Sequence, residues 1–201
     1  MKNRLITQST EYDCGPTCVM NALRFLYERH ELPPALFKNI WLLCNDTYST
    51  TGELGKHGTS MAVMRYLSYW FNDYGRGCQF PIRAEYQCHD EAVIAPGSRV
   101  DECLHEGGAA IIRCWSEGIR HYVLLTTPME GDRIGLFDPY DEPDCEVSAA
   151  PGLEIVHDQR DYNLILPMST LNLNDRTNYA LGETPDREIL MLWRTPAEGN
   201  A

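Results

Sequence analysis

The fold is decided by the segment Gln8-Ser-Thr-Glu-Tyr-Asp13-Cys14-Gly15-Pro16-Thr17-Cys18, where a polar stretch passes into the apolar pattern of a long helix. From about Pro16 to His30, apolar side chains cover most of the circumference, which predicts a helix in the centre of the fold. Cys14 falls at its start, where unpaired backbone N–H groups and the helix dipole favour thiolate over thiol. Gln8, six positions earlier, is placed to donate a hydrogen bond to an oxyanion formed at that sulfur. The segment therefore predicts a cysteine nucleophile on a central helix.

Two strands in the second half carry a histidine and an aspartate that meet across a hairpin. Residues 120–127 and 133–138 read as antiparallel neighbours joined by a turn. If residues 128–131 form the turn, His121 lies directly opposite Asp138. A two-residue turn at 130–131 instead pairs Val123 with Asp138, which leaves His121 as the diagonal neighbour on the same face. In either register the carboxylate reaches the imidazole, so the pair is a candidate base and its orienting acid.

His57 is a rival candidate for the base. It lies in the polar, glycine-rich segment 45–58, which suits either a mobile flap beside a cleft or an ordinary surface connection. Because His57 has no carboxylate at a fixed spacing, it is the weaker choice.

These motifs resemble those of the C39 peptidase family and its standalone C39-like relatives, which lack transporter domains. The resemblance covers about residues 4–167 and rests on the motifs Gln8, Asp13-Cys14-Gly15, Cys18, His121-Tyr-Val and Asp138-Pro139. The family consists of papain-like cysteine peptidases, best known for cleaving leader peptides after a double glycine. The resemblance implies that Cys14 is the nucleophile, His121 the general base and acid, and Asp138 the orienter. Gln8 and the backbone N–H of Cys14 would then bind the oxyanion.

The resemblance implies a papain-like α+β fold, in which an N-terminal helical lobe with the central nucleophile helix packs on an antiparallel sheet lobe. The order of elements, helices first and strands afterwards, independently predicts an α+β fold with segregated lobes. Residues 1–167 are expected to form the peptidase domain, with a partly disordered extension over 168–201. Within that extension, residues 188–194 are expected to add an edge strand or to pack between subunits. The nearly continuous apolar run at 109–115 predicts a central strand.

The function that follows is cleavage of a peptide bond, and the resemblance suggests a Gly-Gly leader peptide as substrate. Two alternatives stay open. A papain-fold acyltransferase would use the same Cys-His-Asp triad with an amine or thiol acceptor instead of water. A non-catalytic C39-like module would bind a peptide without cutting it.

Composition limits the remaining possibilities. The chain has 201 residues, 43% of them hydrophobic, so it can bury one good core. Its net charge of −12 argues against nucleic acid and anionic membranes as partners, and leaves a peptide or protein substrate. No apolar run reaches the roughly 18 residues of a membrane span, and the N-terminus lacks a signal peptide's apolar stretch. We therefore expect a soluble, cytoplasmic protein whose oligomeric state is open.

The eight cysteines are irregularly spaced, so we expect reduced thiols, with Cys18, Cys44 and Cys114 in the core. The pairs Cys88-His89 and Cys103-Leu-His105 do not have the spacing of a structural zinc site. We expect neither a metal nor a cofactor.

Overall fold

The computed structural model describes residues 3–140 and 149–196. Its helices are α1 (Cys14–Leu26), α2 (Pro34–Cys44), α3 (Met61–Cys78), α4 (Arg99–His105) and α5 (Met168–Leu171). Its strands are β1 (Ile82–Cys88), β2 (Ala109–Ser116), β3 (Ile119–Pro128), β4 (Arg133–Phe137), β5 (Glu154–Ile155), β6 (Leu164–Pro167) and β7 (Glu188–Arg194). Single 3₁₀ turns lie at Arg29–Glu31, His89–Glu91 and Thr184–Asp186.

The strands form one seven-stranded sheet in the order β1-β7-β2-β3-β4-β6-β5. Every neighbouring pair is antiparallel. α1 and α3 pack on one part of this sheet and α2 packs on these two helices, so the predicted α+β class is confirmed. β2 pairs with β7 on one side and β3 on the other, which confirms the prediction of a central strand over 109–115.

Successive residues of the central strands feed two hydrophobic cores on opposite faces of the sheet. In β2, Ala109 and Ile111 belong to the core under α1, α2 and α3, whereas Ala110 and Ile112 belong to the second core. This alternation is the two-residue period of a strand whose two faces are both covered. The consequence is that β2 and β3 are rigidly held from both sides.

The C-terminal strand corrects the expected domain boundary. β7 is neither an edge strand nor a subunit contact, because it pairs with both β1 and β2 inside the sheet. Six of its seven residues are buried. The boundary at 167/168 therefore falls within the folded unit, and residues 168–194 complete the sheet instead of extending it. The predicted disorder at the C-terminus falls mainly on residues 197–201, which lie outside the described residues.

Helix α1 begins two residues before the predicted start and ends four residues before the predicted end. Its burial is as expected, since nine of its first ten residues are buried. The helix stops because Tyr27 is extended, with φ −126° and ψ 157°. A capping box between Glu28 and Glu31 then starts a separate 3₁₀ turn. The earlier start makes Cys14 the first helical residue.

Seven of the eight cysteines lie in the described residues, and all seven are free thiols. Cys18, Cys44 and Cys114 are buried, which confirms their place in the core. No helix within 3–140 or 149–196 combines the length and the apolarity needed to cross a bilayer.

Candidate active site

The first turn of α1 carries Cys14 to β3. Cys18, one turn further along the same face, donates from its thiol to the carbonyl of Tyr122 at 3.2 Å. That contact sets the face of α1 that carries Cys14 next to β3, and the thiol of Cys14 lies close enough to the imidazole of His121 to raise its pKa. Cys14 is buried but keeps 6% of its surface exposed. The structure therefore brings together two residues that are more than a hundred positions apart.

Gly15 allows this helix start to pack closely. A side-chain carbon at Gly15 would lie 2.2 Å from Oγ1 of Thr59, which itself donates to the carbonyl of Cys44. Only a residue without a side chain fits at this contact. Gly15 thus lets the segment before α3 press against the first turn of α1.

His121 and Asp138 form a buried pair at the end of the hairpin where β4 stops. Nε2 of His121 lies 2.7 Å from Oδ1 of Asp138, and both side chains are buried. β3 and β4 pair Leu124 with Phe137, and a bulge follows between Leu125 and Thr127. Continued by one step, this register sets Asp138 across from Val123, so His121 is the diagonal neighbour, as in the second of the two predicted registers. The diagonal arrangement still brings the carboxylate into hydrogen-bond contact.

The surroundings of His121 favour its charged form. Burial alone would lower the imidazole pKa, because a charge is costly away from water. The charge of Asp138 and its hydrogen bond outweigh burial, the contact with Cys14 adds to them, and together they raise the pKa of His121 from 6.5 to about 10. The surroundings therefore favour the imidazolium at neutral pH, with Nε2 held by the acid.

Asp138 is itself held by three further residues. Its Oδ1 accepts from the backbone N–H of Tyr140 at 2.9 Å, and its Oδ2 accepts from the hydroxyl of Tyr179 at 2.9 Å. The side chain of Asn163 makes two hydrogen bonds of 2.8 Å with the backbone of Asp138. Sequence reasoning missed Asn163 and Tyr179, because neither has a local pattern that links it to the hairpin.

Gln8 lies at the edge of the group formed by Cys14, His121 and Asp138. Its backbone N–H donates to the carbonyl of Pro139 at 2.8 Å, directly after Asp138. Asn21 of α1 holds the segment before the helix through two hydrogen bonds with the backbone of Ile6. The Gln8 side chain donates from Nε2 to the carbonyl of Thr10 at 2.9 Å, and its Oε1 is buried without a partner among the described residues. Since an amide nitrogen carries two hydrogens, this bond leaves one donor of Gln8 for another acceptor.

A cleft of about 350 Å³ opens beside the start of α1. Its walls come from Tyr12 and Asp13 before the helix, Trp41 of α2, and Leu54 and Lys56 of the loop after α2. That loop is held together by an isolated bridge between Tyr48 and Leu54 and by the bond from Gly55 N to Thr47 O. Segment 45–58 is therefore a folded wall of the cleft. The rival base His57 lies exposed in it, whereas it is His121 that contacts Cys14.

Within the residues described, no three His, Cys, Asp or Glu side chains converge as they would around a metal ion.

Comparison with known proteins finds similarity among solved structures only. The sequence matches no protein-family model and no curated protein. Among solved structures, the chain is similar to the peptidase domain of Streptococcus ComA, a bi-functional ABC transporter involved in a quorum-sensing pathway. The identity is 11%, the match covers 96% of this chain and 98% of that chain, and the TM-score is 0.42.

Proposed function

We propose that this chain is a cysteine peptidase with Cys14 as nucleophile, His121 as general base and acid, and Asp138 as the orienting acid. One observation carries the proposal: a single buried imidazole contacts a helix-start thiol on one side and a carboxylate on the other. A thiol and an imidazole in contact exchange a proton, and the thiolate is the reactive nucleophile. The carboxylate stabilises the imidazolium that this exchange forms.

The reaction follows from these positions. The sulfur of Cys14 attacks the scissile carbonyl carbon, and the carbonyl oxygen becomes an oxyanion. The backbone N–H of Cys14 and the second N–H of Gln8 stabilise that oxyanion, a contribution of about 2.7–4 kcal/mol for one such donor. His121 gives its proton to the leaving amine, and the C–N bond breaks to leave a thioester. Water, deprotonated by His121, then hydrolyses the thioester and restores the thiol.

The substrate is proposed to be a peptide that runs through the cleft beside Asp13. The rim of this cleft exposes apolar surface, with 40% of Trp41, 65% of Leu42 and 73% of Leu54 accessible. The cleft is lined by Asp13, the residue before Cys14, and exposed apolar surface of this kind is suited to an extended peptide segment. The family resemblance points to a double glycine before the scissile bond, and this is the sequence to test first.

Thiol labelling tests the nucleophile. Iodoacetamide at neutral pH, followed by peptide mapping, is expected to label Cys14 faster than Cys78, although Cys78 is the exposed one. Burial raises the pKa of Cys18 and Cys114, so these two should stay unlabelled in the folded protein. Labelling of Cys14 no faster than Cys78 would remove the activated thiol from the account.

A peptide panel tests the reaction. Wild type, Cys14→Ala and the matched control Cys78→Ala are incubated with double-glycine peptides and with variants in which alanine or leucine replaces each glycine. Mass spectra that show a hydrolysed acid for wild type and Cys78→Ala, but not for Cys14→Ala, support the peptidase. In a parallel incubation with an added amine, a product that carries the amine would indicate an acyltransferase. Binding of the peptide without any product would indicate a peptide-binding module.

A further inference from the structure

A tyrosine hydroxyl donates to the carboxylate of Asp138 on the side away from His121. The Tyr179 hydroxyl donates to Oδ2 at 2.9 Å, while Oδ1 faces the imidazole at 2.7 Å. With a donor on each oxygen, the carboxylate cannot turn about its Cβ–Cγ bond without breaking a buried hydrogen bond. We propose that Tyr179 is a positioning residue, which holds Asp138 in the orientation that faces His121. The inference rests on the proposed function, since it assigns a role within that site.

The backbone around Tyr179 is fixed to the strand that also supports His121. Its N–H donates to the carbonyl of Trp115 at 2.6 Å, and the N–H of Trp115 donates to the carbonyl of Ala180 at 2.9 Å. Trp115 is the neighbour of Cys114, which pairs directly with His121 across β2 and β3. The hydroxyl and the imidazole are thus placed by the same strand, so their separation is set by the sheet.

The backbone at Tyr179 is unusual for a tyrosine. Its φ is +67°, in the left-handed region that L side chains rarely adopt. Four other non-glycine residues in the described part of the chain share this region, namely Gln79, His89, Glu117 and Asp158, and all four are polar and exposed. Tyr179 is instead an aromatic residue with only 2% of its surface accessible. Tyr179 thus combines a strained backbone with a buried side chain that donates to Asp138. This combination indicates that the contact with Asp138 is the role of the side chain.

The charges around the two rings indicate what loss of the hydroxyl would do. Asp138 from the end of β4 and Cys14 from α1 face His121, while Asp138, Cys114 and Glu117 act on Tyr179. Burial and the charge of Asp138 raise the pKa of Tyr179, so the hydroxyl remains a donor throughout the range of an assay. Without that donor the carboxylate is held only through Oδ1, by His121 and the backbone N–H of Tyr140, and Oδ2 is no longer fixed. A less firmly held carboxylate stabilises the imidazolium less, so the burial of His121 then lowers its pKa.

The test compares Tyr179→Phe with Tyr27→Phe. Both remove a buried hydroxyl, but Tyr27 donates to the carbonyl of Pro81 at 2.7 Å, outside the site. Ring NMR of His121, assigned with His121→Asn, measures its pKa in the resting protein. We expect a fall of about one pH unit or more in Tyr179→Phe, the equivalent of a tenfold change in the protonation equilibrium, and none in Tyr27→Phe.

Kinetics provide the second readout. With a cleaved peptide, we expect kcat of Tyr179→Phe to fall about tenfold at unchanged KM, and the alkaline limb of kcat/KM to move to lower pH. If Tyr179→Phe only lowers the melting temperature, as Tyr27→Phe does, and the His121 pKa stays in place, Tyr179 is structural and the inference fails alone. If wild type cleaves nothing while the His121 pKa still falls in Tyr179→Phe, the positioning role stands and the peptidase proposal fails.

Discussion

Replacement of Asp138 by asparagine isolates the charge that the candidate site depends on. The substitution keeps the shape, so the new amide can offer its oxygen to His121 and its nitrogen to the Tyr179 hydroxyl. What it removes is the negative charge, and burial then dominates the imidazole. The rise of the His121 pKa from 6.5 to about 10 corresponds to about 5 kcal/mol in favour of the imidazolium. Since burial acts in the opposite direction, Asp138→Asn should bring the pKa to 6.5 or below.

The assay is the ring titration of His121 by NMR, together with kcat/KM on a cleaved peptide. At pH 7 the imidazole of Asp138→Asn should be mostly neutral, and kcat/KM should fall by up to about 10⁴, the loss in kcat for the same change in a Ser-His-Asp triad. Asp73→Asn is the matched control, because Asp73 pairs with Arg76 on the exposed face of α3. It changes the net charge equally and should leave both readouts unchanged.

The refuting result is equally specific. If His121 in a folded Asp138→Asn still titrates near pH 10, the carboxylate is not the source of the raised pKa. The assignment of Asp138 as the orienting acid would then be wrong.

Four further outcomes are expected. Gly15→Ala should lower the free energy of unfolding in urea by about 1–3 kcal/mol, because its Cβ would lie 2.2 Å from Thr59 Oγ1, and Thr59→Gly should restore part of that loss. Gln8→Ala should lower kcat by about 10²–10³ with an unchanged melting temperature, and wild-type turnover would remove Gln8 from the mechanism. Leu54→Glu, at a site that is 73% exposed, should raise KM on the order of tenfold with kcat unchanged, and an equal fall in kcat would argue against a binding wall. The pKa of His121 is higher in the folded than in the unfolded chain, so its stabilising contribution is complete below pH 6.5 and is lost as the pH rises toward 10. The melting temperature of wild type should therefore fall more steeply over this range than that of Asp138→Asn. An equally steep fall in Asp138→Asn would contradict the assignment.

The parts of the fold that the sequence predicted have a local signature. The apolar circumference of α1 and the alternating hairpin around 128–132 each follow from residues that are close in the chain. The register at Asp138 does not, because it depends on the bulge between Leu125 and Thr127. A bulge adds one unpaired residue without a fixed sequence pattern, so two registers were equally compatible with the same letters.

The sequence of β7 indicates a buried strand but does not indicate which strands lie beside it. Residues 189–193 are as continuously apolar as those of β2, which is typical of a strand covered on both faces. Glu188 is the charged residue at its start. In the structure Glu188 is 1% exposed and accepts hydrogen bonds from the hydroxyls of Tyr122 and Tyr86. Those partners come from β3 and β1, and no reading of neighbouring residues could supply them.

The position of β7 also has a consequence for synthesis on the ribosome. β1 has β7 as its strand partner in the sheet, and β7 in turn joins it to β2. A nascent chain that has passed residue 140 already contains the thiol, the imidazole and the acid, but the two parts of its sheet are still unconnected. Only when residue 194 has left the exit tunnel can they join, and the Tyr179 hydroxyl reaches Asp138 during the same late interval. Completion of the sheet and of the contact between Tyr179 and Asp138 thus waits until residues 179–194 have been translated.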